Sequence, residues 1–345
     1  MAVCIHSARP GSCHKLVLTL SLLSPLLAVA QDGTYQVPRI QNGAPDLQGT
    51  WTNNTITPLT RPAEFADLNI SAAQALAWEQ RIADYTVQQD QPSDPGRAAP
   101  SKDEIELADS YNNFWFDDGT RVAEYDGQYR SSLLVDPADG QLPDYTGQAR
   151  ARIAQQREQR NQQGPFDGPE ARPLPERCLL AFGSSSGPPM LPILYNNHYQ
   201  IVQSPGYVMI LVEMVHDVRI IRIDSESLPA SMHPWMGDST GHWEGDTLVV
   251  ETTRINAHQQ FRNSSPQMQV TERFTRVADD TINYQFTVHD PATFVSDFSG
   301  EIPMKLTDER LYEYACHEGN YALTGVLAGA RKEEVEQEFG LGASD

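Results

Sequence analysis

Between Thr281 and Val288 every even position is apolar or aromatic and every odd position is polar. Ile282, Tyr284, Phe286 and Val288 alternate with Thr281, Asn283, Gln285 and Thr287. Successive side chains of a β-strand point to opposite faces, so this run predicts a strand with one dry face and one wet face. The neighbouring stretches 199–203, 207–214, 218–224, 241–243, 247–254, 268–277, 299–306 and 311–316 extend the reading. Turn formers such as Ser204-Pro205-Gly206 and Gly245-Asp246 separate them. About eight short-linked strands predict a mainly β protein built on an antiparallel, up-and-down, lipocalin-like barrel over residues 178–330.

The start of the chain reads as an export signal. Arg9 and Lys15 precede an apolar run from Leu16 to Ala30 that ends Ala28-Val29-Ala30. A basic region, a short apolar stretch and an Ala-x-Ala site predict a cleaved signal peptide over 1–30, hence a secreted protein, periplasmic or extracellular. The run is too short for a comfortable membrane span, so no membrane attachment is expected after cleavage. Losing Arg9 and Lys15 takes the formal charge from −21 to −23. Phosphate recognition needs clustered Lys and Arg, so nucleic acid is excluded as a partner.

Cys4 and Cys13 leave with the leader, and Cys178 and Cys316 remain. In an oxidising compartment an even pair suggests a disulfide; the alternatives are two buried thiols or a metal-binding Cys316-His317 pair. Two distant cysteines lack the spacing of a zinc site, and no metal or cofactor is expected.

Residues 31–177 are poorer in apolar runs and are expected to wrap the barrel with short strands and two helices, 71–86 and 145–163. Ser71 is the expected N-cap of the first. The second is polar all round, the pattern of a solvated helix. Residues 87–103 read as a loop, 113–116 and 131–136 as short strands, and 331–345 as an acidic tail.

Hairpin registers predict what faces inward. A turn at 278–280 pairs Arg276 with Ile282, Phe274 with Tyr284, Glu272 with Phe286 and Val270 with Val288. If Leu306 meets Tyr312, Met304 meets Tyr314. The inner wall then carries Phe274, Tyr284, Phe286, Met304, Tyr312 and Tyr314, with Glu272 as its one carboxylate. A carboxylate on an aromatic wall loses solvation, which makes Glu272 a candidate general acid or base; the plainer alternative is an ion pair with Arg276. His216 shares parity with Ile210, Val212 and Met214, so it falls on the apolar face of a continuous strand, or at a hairpin tip if a turn intervenes.

Several phrases together, at 46–51, 132–140, 187–192, 213–219, 243–252 and 312–321, resemble a widespread family of secreted bacterial proteins of unassigned function. Gly49-Thr50-Trp51 ahead of the strand series is similar, more generally, to lipocalin-like barrels. The resemblance implies small-molecule handling by analogy and brings no catalytic residues. The expectation is a secreted barrel that binds a small, largely apolar ligand in an aromatic-lined lumen. The alternative is a cofactor-free acid–base enzyme, an isomerase, hydratase or cyclase, using Glu272 and His216; a protein partner is a third class.

Overall fold

Thirteen strands and three α-helices make up the computed structural model, which describes residues 35–89, 96, 116–117, 119–181, 187–259 and 261–339. Contacts divide the chain after Gln36, and the architecture concerns the unit beginning at Val37. The expected leader, most of the 87–103 loop and most of the 113–116 strand lie outside the described residues.

The strands are β1 Gly49–Thr52, β2 Asn69–Ile70, β3 Glu124–Tyr125, β4 Gln128–Arg130, β5 Leu134–Asp136, β6 His198–Ser204, β7 Tyr207–Val212 and β8 Val218–Ile223. There follow β9 Asp238–Glu244, β10 Thr247–Thr253, β11 Gln269–Ala278, β12 Thr281–His289 and β13 Phe298–Leu306. Strands β6 to β13 lie side by side in chain order, and β1 pairs with both β6 and β13, closing a nine-stranded barrel. β5 adds to β13 on the outside of this ring, and β2, β4 and β3 form a separate small sheet.

The closure differs from the sequence expectation in two respects. Residues 311–316 are not a strand; Leu306 pairs with Trp51 instead of Tyr312, so β1 from the N-terminal region seals the seam. The physical reason is Trp51, which is fully buried and donates its indole N–H to the Leu47 carbonyl at 3.0 Å. That large aromatic ring fills the seam where β1 meets β13. Nor is the barrel wholly antiparallel: β8 and β9 run parallel, from Ile221 opposite Ser239 to Ile223 opposite Gly241. The connection 224–237 crosses over instead of turning back. Asp238, its carboxylate buried, anchors that crossover by accepting from Arg222 at 2.7 Å, Arg254 at 3.0 Å and the Leu228 N–H at 2.7 Å.

Hairpin β11–β12 has the register that alternation requires, with Arg276/Ile282, Phe274/Tyr284, Glu272/Phe286 and Val270/Val288 opposed and a bulge at Val277. Its inward side chains join one core cluster with Trp51, Tyr199, Ile201, Val250, Phe298, Ile302 and Met304. Gly300 lets the Phe286 ring lie against the backbone: a Cβ there would sit 2.4 Å from the ring.

Both expected helices form. α1, Ala72–Gln89, starts at a reciprocal cap in which Gln74 N–H donates to Ser71 Oγ (3.3 Å) and Ser71 N–H to Gln74 Oε1 (3.0 Å). Its Ala75 and Trp78 pack on Phe65, Ile70 and Val122. α2, Gly147–Gln162, is capped by Thr146 Oγ1 and buries only Ala149, as its polar sequence dictates. A third helix, α3 Ala322–Glu338, takes up part of the stretch read as an acidic tail. Cys178 and Cys316 are disulfide-bonded, tying the arm after β13 to the segment before β6 across 138 residues.

Because Trp51 carries the closing strand, Trp51→Ala should cost about 3–5 kcal/mol. Urea unfolding followed by tryptophan fluorescence and circular dichroism should show this as a lowered midpoint; an unchanged midpoint would mean β1 is not needed for closure.

Candidate functional site

Glu272 projects from β11 into the barrel and is 0 % exposed. Its partner is not Arg276 but Arg219, on β8 across the lumen. Arg219 Nη1 donates to Glu272 Oε1 at 2.9 Å, and Nη2 donates to Oε2. Tyr284 on β12 adds its hydroxyl to Oε1 at 2.8 Å. Arg276 lies at the end of the barrel, donating to the backbone carbonyls of Asp46, Ala278 and Asp279 with its guanidinium over the Trp51 ring. Burial alone would lower the Arg219 pKa, but the Glu272 charge and hydrogen bonds outweigh it and hold the guanidinium charged.

One stretch of backbone lies against this pair. The Met190 N–H donates to Tyr284 Oη at 2.9 Å, and the Met190 carbonyl accepts from Asn53 Nδ2 at 3.2 Å. Gln259 Nε2 donates to the Gly187 carbonyl at 3.3 Å. Gly187, at φ +134°, packs so closely on Arg219 that a Cβ would lie 2.8 Å from Cδ. The segment 187–191 is buried throughout, and the Met190 side chain belongs to the core cluster. It packs into the barrel core beside the ion pair. Burial pushes the hydroxyls of Tyr199 and Tyr284 above the usual tyrosine range, so both remain protonated at neutral pH.

The residues of the expected aromatic wall divide. Phe274, Tyr284, Phe286 and Met304 are inside and fully buried. Tyr312 is 75 % exposed on the arm after β13, and Tyr314 is half-buried on the same arm, because the strand that would have turned them inward does not form. His216 is not on a continuous strand: β7 stops at Val212, and a 3-10 turn, Met214–His216, with Val215 at φ 64° breaks the alternation. The turn also reverses parity, which sends Arg219 inward. His216 therefore occupies a turn between β7 and β8.

Sequence reasoning missed Asn53, Met190, Arg219 and Gln259. Only Arg219 left a signal. A lone carboxylate on a barrel wall needs a counter-charge, and Arg219 shares parity with the apolar Ile221 and Ile223.

A second cluster lies on the outer face, where β6 begins. His198 Nδ1 is 3.0 Å from the buried Glu213 carboxylate and 3.6 Å from Asp117, and its Nε2 is 3.5 Å from Glu309. Glu213 also accepts the Tyr312 N–H at 3.0 Å, so histidine and carboxylate together hold down the arm. Burial lowers the His198 pKa, but the hydrogen bond and charge of Glu213, reinforced by Asp117 and Glu309, raise it above the usual histidine value. Two surface clefts, of about 390 and 600 Å³, flank the crossover; Val218, Ile220 and Trp235 line the first, His233 and His289 the second.

Among the described residues no three His, Cys, Asp or Glu side chains are grouped to hold a metal ion, and no helix is long and apolar enough to cross a membrane. No known protein family, curated protein or solved structure matches the chain.

Two measurements test this geometry. Glu272→Gln or Arg219→Met alone should cost about 3–5 kcal/mol, whereas the Arg219→Met/Glu272→Leu double variant should recover most of that loss. Additive losses in a chemical-denaturation cycle would show that the two side chains do not act as a pair. The His198 pKa is raised on folding, so its contribution is complete below the unfolded value near 6.5 and is lost as pH rises through the folded value. The melting-temperature gap between wild type and His198→Gln should therefore narrow from pH 6 to pH 9; a constant gap would remove His198 as the titrating group.

Proposed function

We propose that the chain is a secreted, periplasmic or extracellular, ligand-binding barrel whose site is the plugged end of the lumen. The supporting observation is a buried polar centre, Arg219, Glu272 and Tyr284, set among Phe274, Phe286 and Met304 and covered by 187–191. An ion pair in such a place costs desolvation that an apolar filling would avoid, so stability alone gives little reason for it. The apolar part of the lumen is filled by its own side chains. A ligand is accommodated when the plug gives way, and it then meets an aromatic wall with a few fixed polar groups, the usual constitution of a small-molecule site.

Binding fits the arrangement better than acid–base chemistry. Both Glu272 oxygens are engaged by Arg219, and Oε1 also by Tyr284, which leaves the carboxylate little freedom to take or give a proton.

Native mass spectrometry of the protein purified from its secretion route tests the proposal. A small molecule that leaves on unfolding, and is absent from the Arg219→Met/Glu272→Leu variant, is the expected result. A wild-type protein that carries nothing and takes up nothing from a concentrated extract of its growth medium would overturn it. Conversion of the captured molecule during incubation would move the assignment to the enzyme reading.

A further inference from the structure

Met190 is held as a bound molecule would be. Its N–H, its carbonyl and its side chain are all buried and all used, and the groups that use them come from three separate parts of the chain: Tyr284, Asn53 and the core cluster. The side chains gripping the 187–190 segment also keep unused hydrogen-bonding capacity. Arg219 Nε, Asn53 Oδ1 and Gln259 Oε1 are buried with no partner among the described residues. Arg219 and Asn53 are 2 % and 1 % exposed. Leaving one such atom buried and unmet typically costs about 1–3 kcal/mol, and these three belong to side chains that all touch one segment.

From this we infer that 187–190 is an internal occupant of the site, and that the ligand displacing it is a neutral, amide-bearing, peptide-like molecule with a flexible apolar side group. The inference rests on the binding reading above and adds the ligand's class. Neutrality follows from charge balance. Arg219 and Glu272 cancel each other, and both nearby tyrosines are protonated, so a charged ligand would be buried without a counter-ion. The amide character follows from the inventory freed when the plug leaves. Asn53 and Gln259 each present a donor and an acceptor, Arg219 Nε presents a donor, and Tyr284 Oη is again open to a donor. An amide supplies both an N–H and a C=O to such a set, whereas a hydrocarbon or a simple ester satisfies half of it at most. The flexible group takes the space of the unbranched Met190 side chain.

The test uses the full chain and its Met190→Ala variant, whose shortened side chain leaves room in the core. Three probes are compared by thermal shift and calorimetric titration: N-acetylmethioninamide, which reproduces residue 190 with both flanking peptide groups, N-acetylmethionine, which carries a carboxylate, and N-acetylalaninamide, which lacks the side group. The methioninamide should raise the melting temperature of the variant by several degrees and that of wild type by less. The other two should bind at least tenfold more weakly. Equal binding of the carboxylate overturns the neutral class, and equal binding of the alaninamide overturns the role of the side group. If no probe binds the variant, the peptide-like class fails; the native mass measurement on wild type still reports independently whether any molecule is held. Should the variant not fold, amide exchange at Met190 in wild type decides, since displacement by the methioninamide must speed it and an unchanged rate overturns the inference.

Discussion

The bidentate contact between Arg219 and Glu272 spans the barrel from β8 to β11, and the packing around it follows from its cost. Two charges removed from water favour further hydrogen bonds to the pair, and Tyr284 supplies one of them by bonding to Glu272. Tyr284 then accepts the Met190 N–H on its own oxygen, and this fixes the 187–191 segment. Asn53, next to the closing strand, takes the Met190 carbonyl. The pair thus links the wall, the 187–191 segment and the seam of the barrel in one polar network inside an aromatic core.

Barrel closure has a separate cause. A sheet must bury or pair its edges, and this one does so by recruiting a four-residue strand from far upstream. The arm that follows β13 then passes outside, where Glu213 accepts the Tyr312 N–H, His198 faces the Glu309 carboxylate and the disulfide anchors it. The N-terminal region therefore contributes a barrel strand as well as a wrapping. On the arm, Tyr312 is exposed and Tyr314 packs half-buried against the core.

Much of the barrel was legible because alternation is a local property. The 270–288 hairpin, with Glu272, Phe274, Tyr284 and Phe286 on one face, follows from period-two patterning and a single turn, as do the two early helices from Ser71 and from the polar 147–162 run. Legibility ended where alternation was interrupted. The turn at Met214–His216 costs one step of parity, and that step turned Arg219 inward while leaving Val218 and Ile220 exposed. The 311–316 segment alternates well enough to suggest a strand, but no edge was left for it once Trp51 had filled the seam.

The sequence by itself determined that the chain is mainly β and makes a barrel with Glu272 on an aromatic inner wall, and it pointed to Cys178 and Cys316 as a bonded pair. Those are consequences of residue period and inventory, which need no knowledge of distant neighbours. Only the tertiary structure decided which cation answers Glu272, which segment closes the seam, and that Met190 packs against Tyr284 in the core. Each of those outcomes joins residues tens to hundreds of positions apart, and each was settled by competition for one buried position, a contest that no local pattern records.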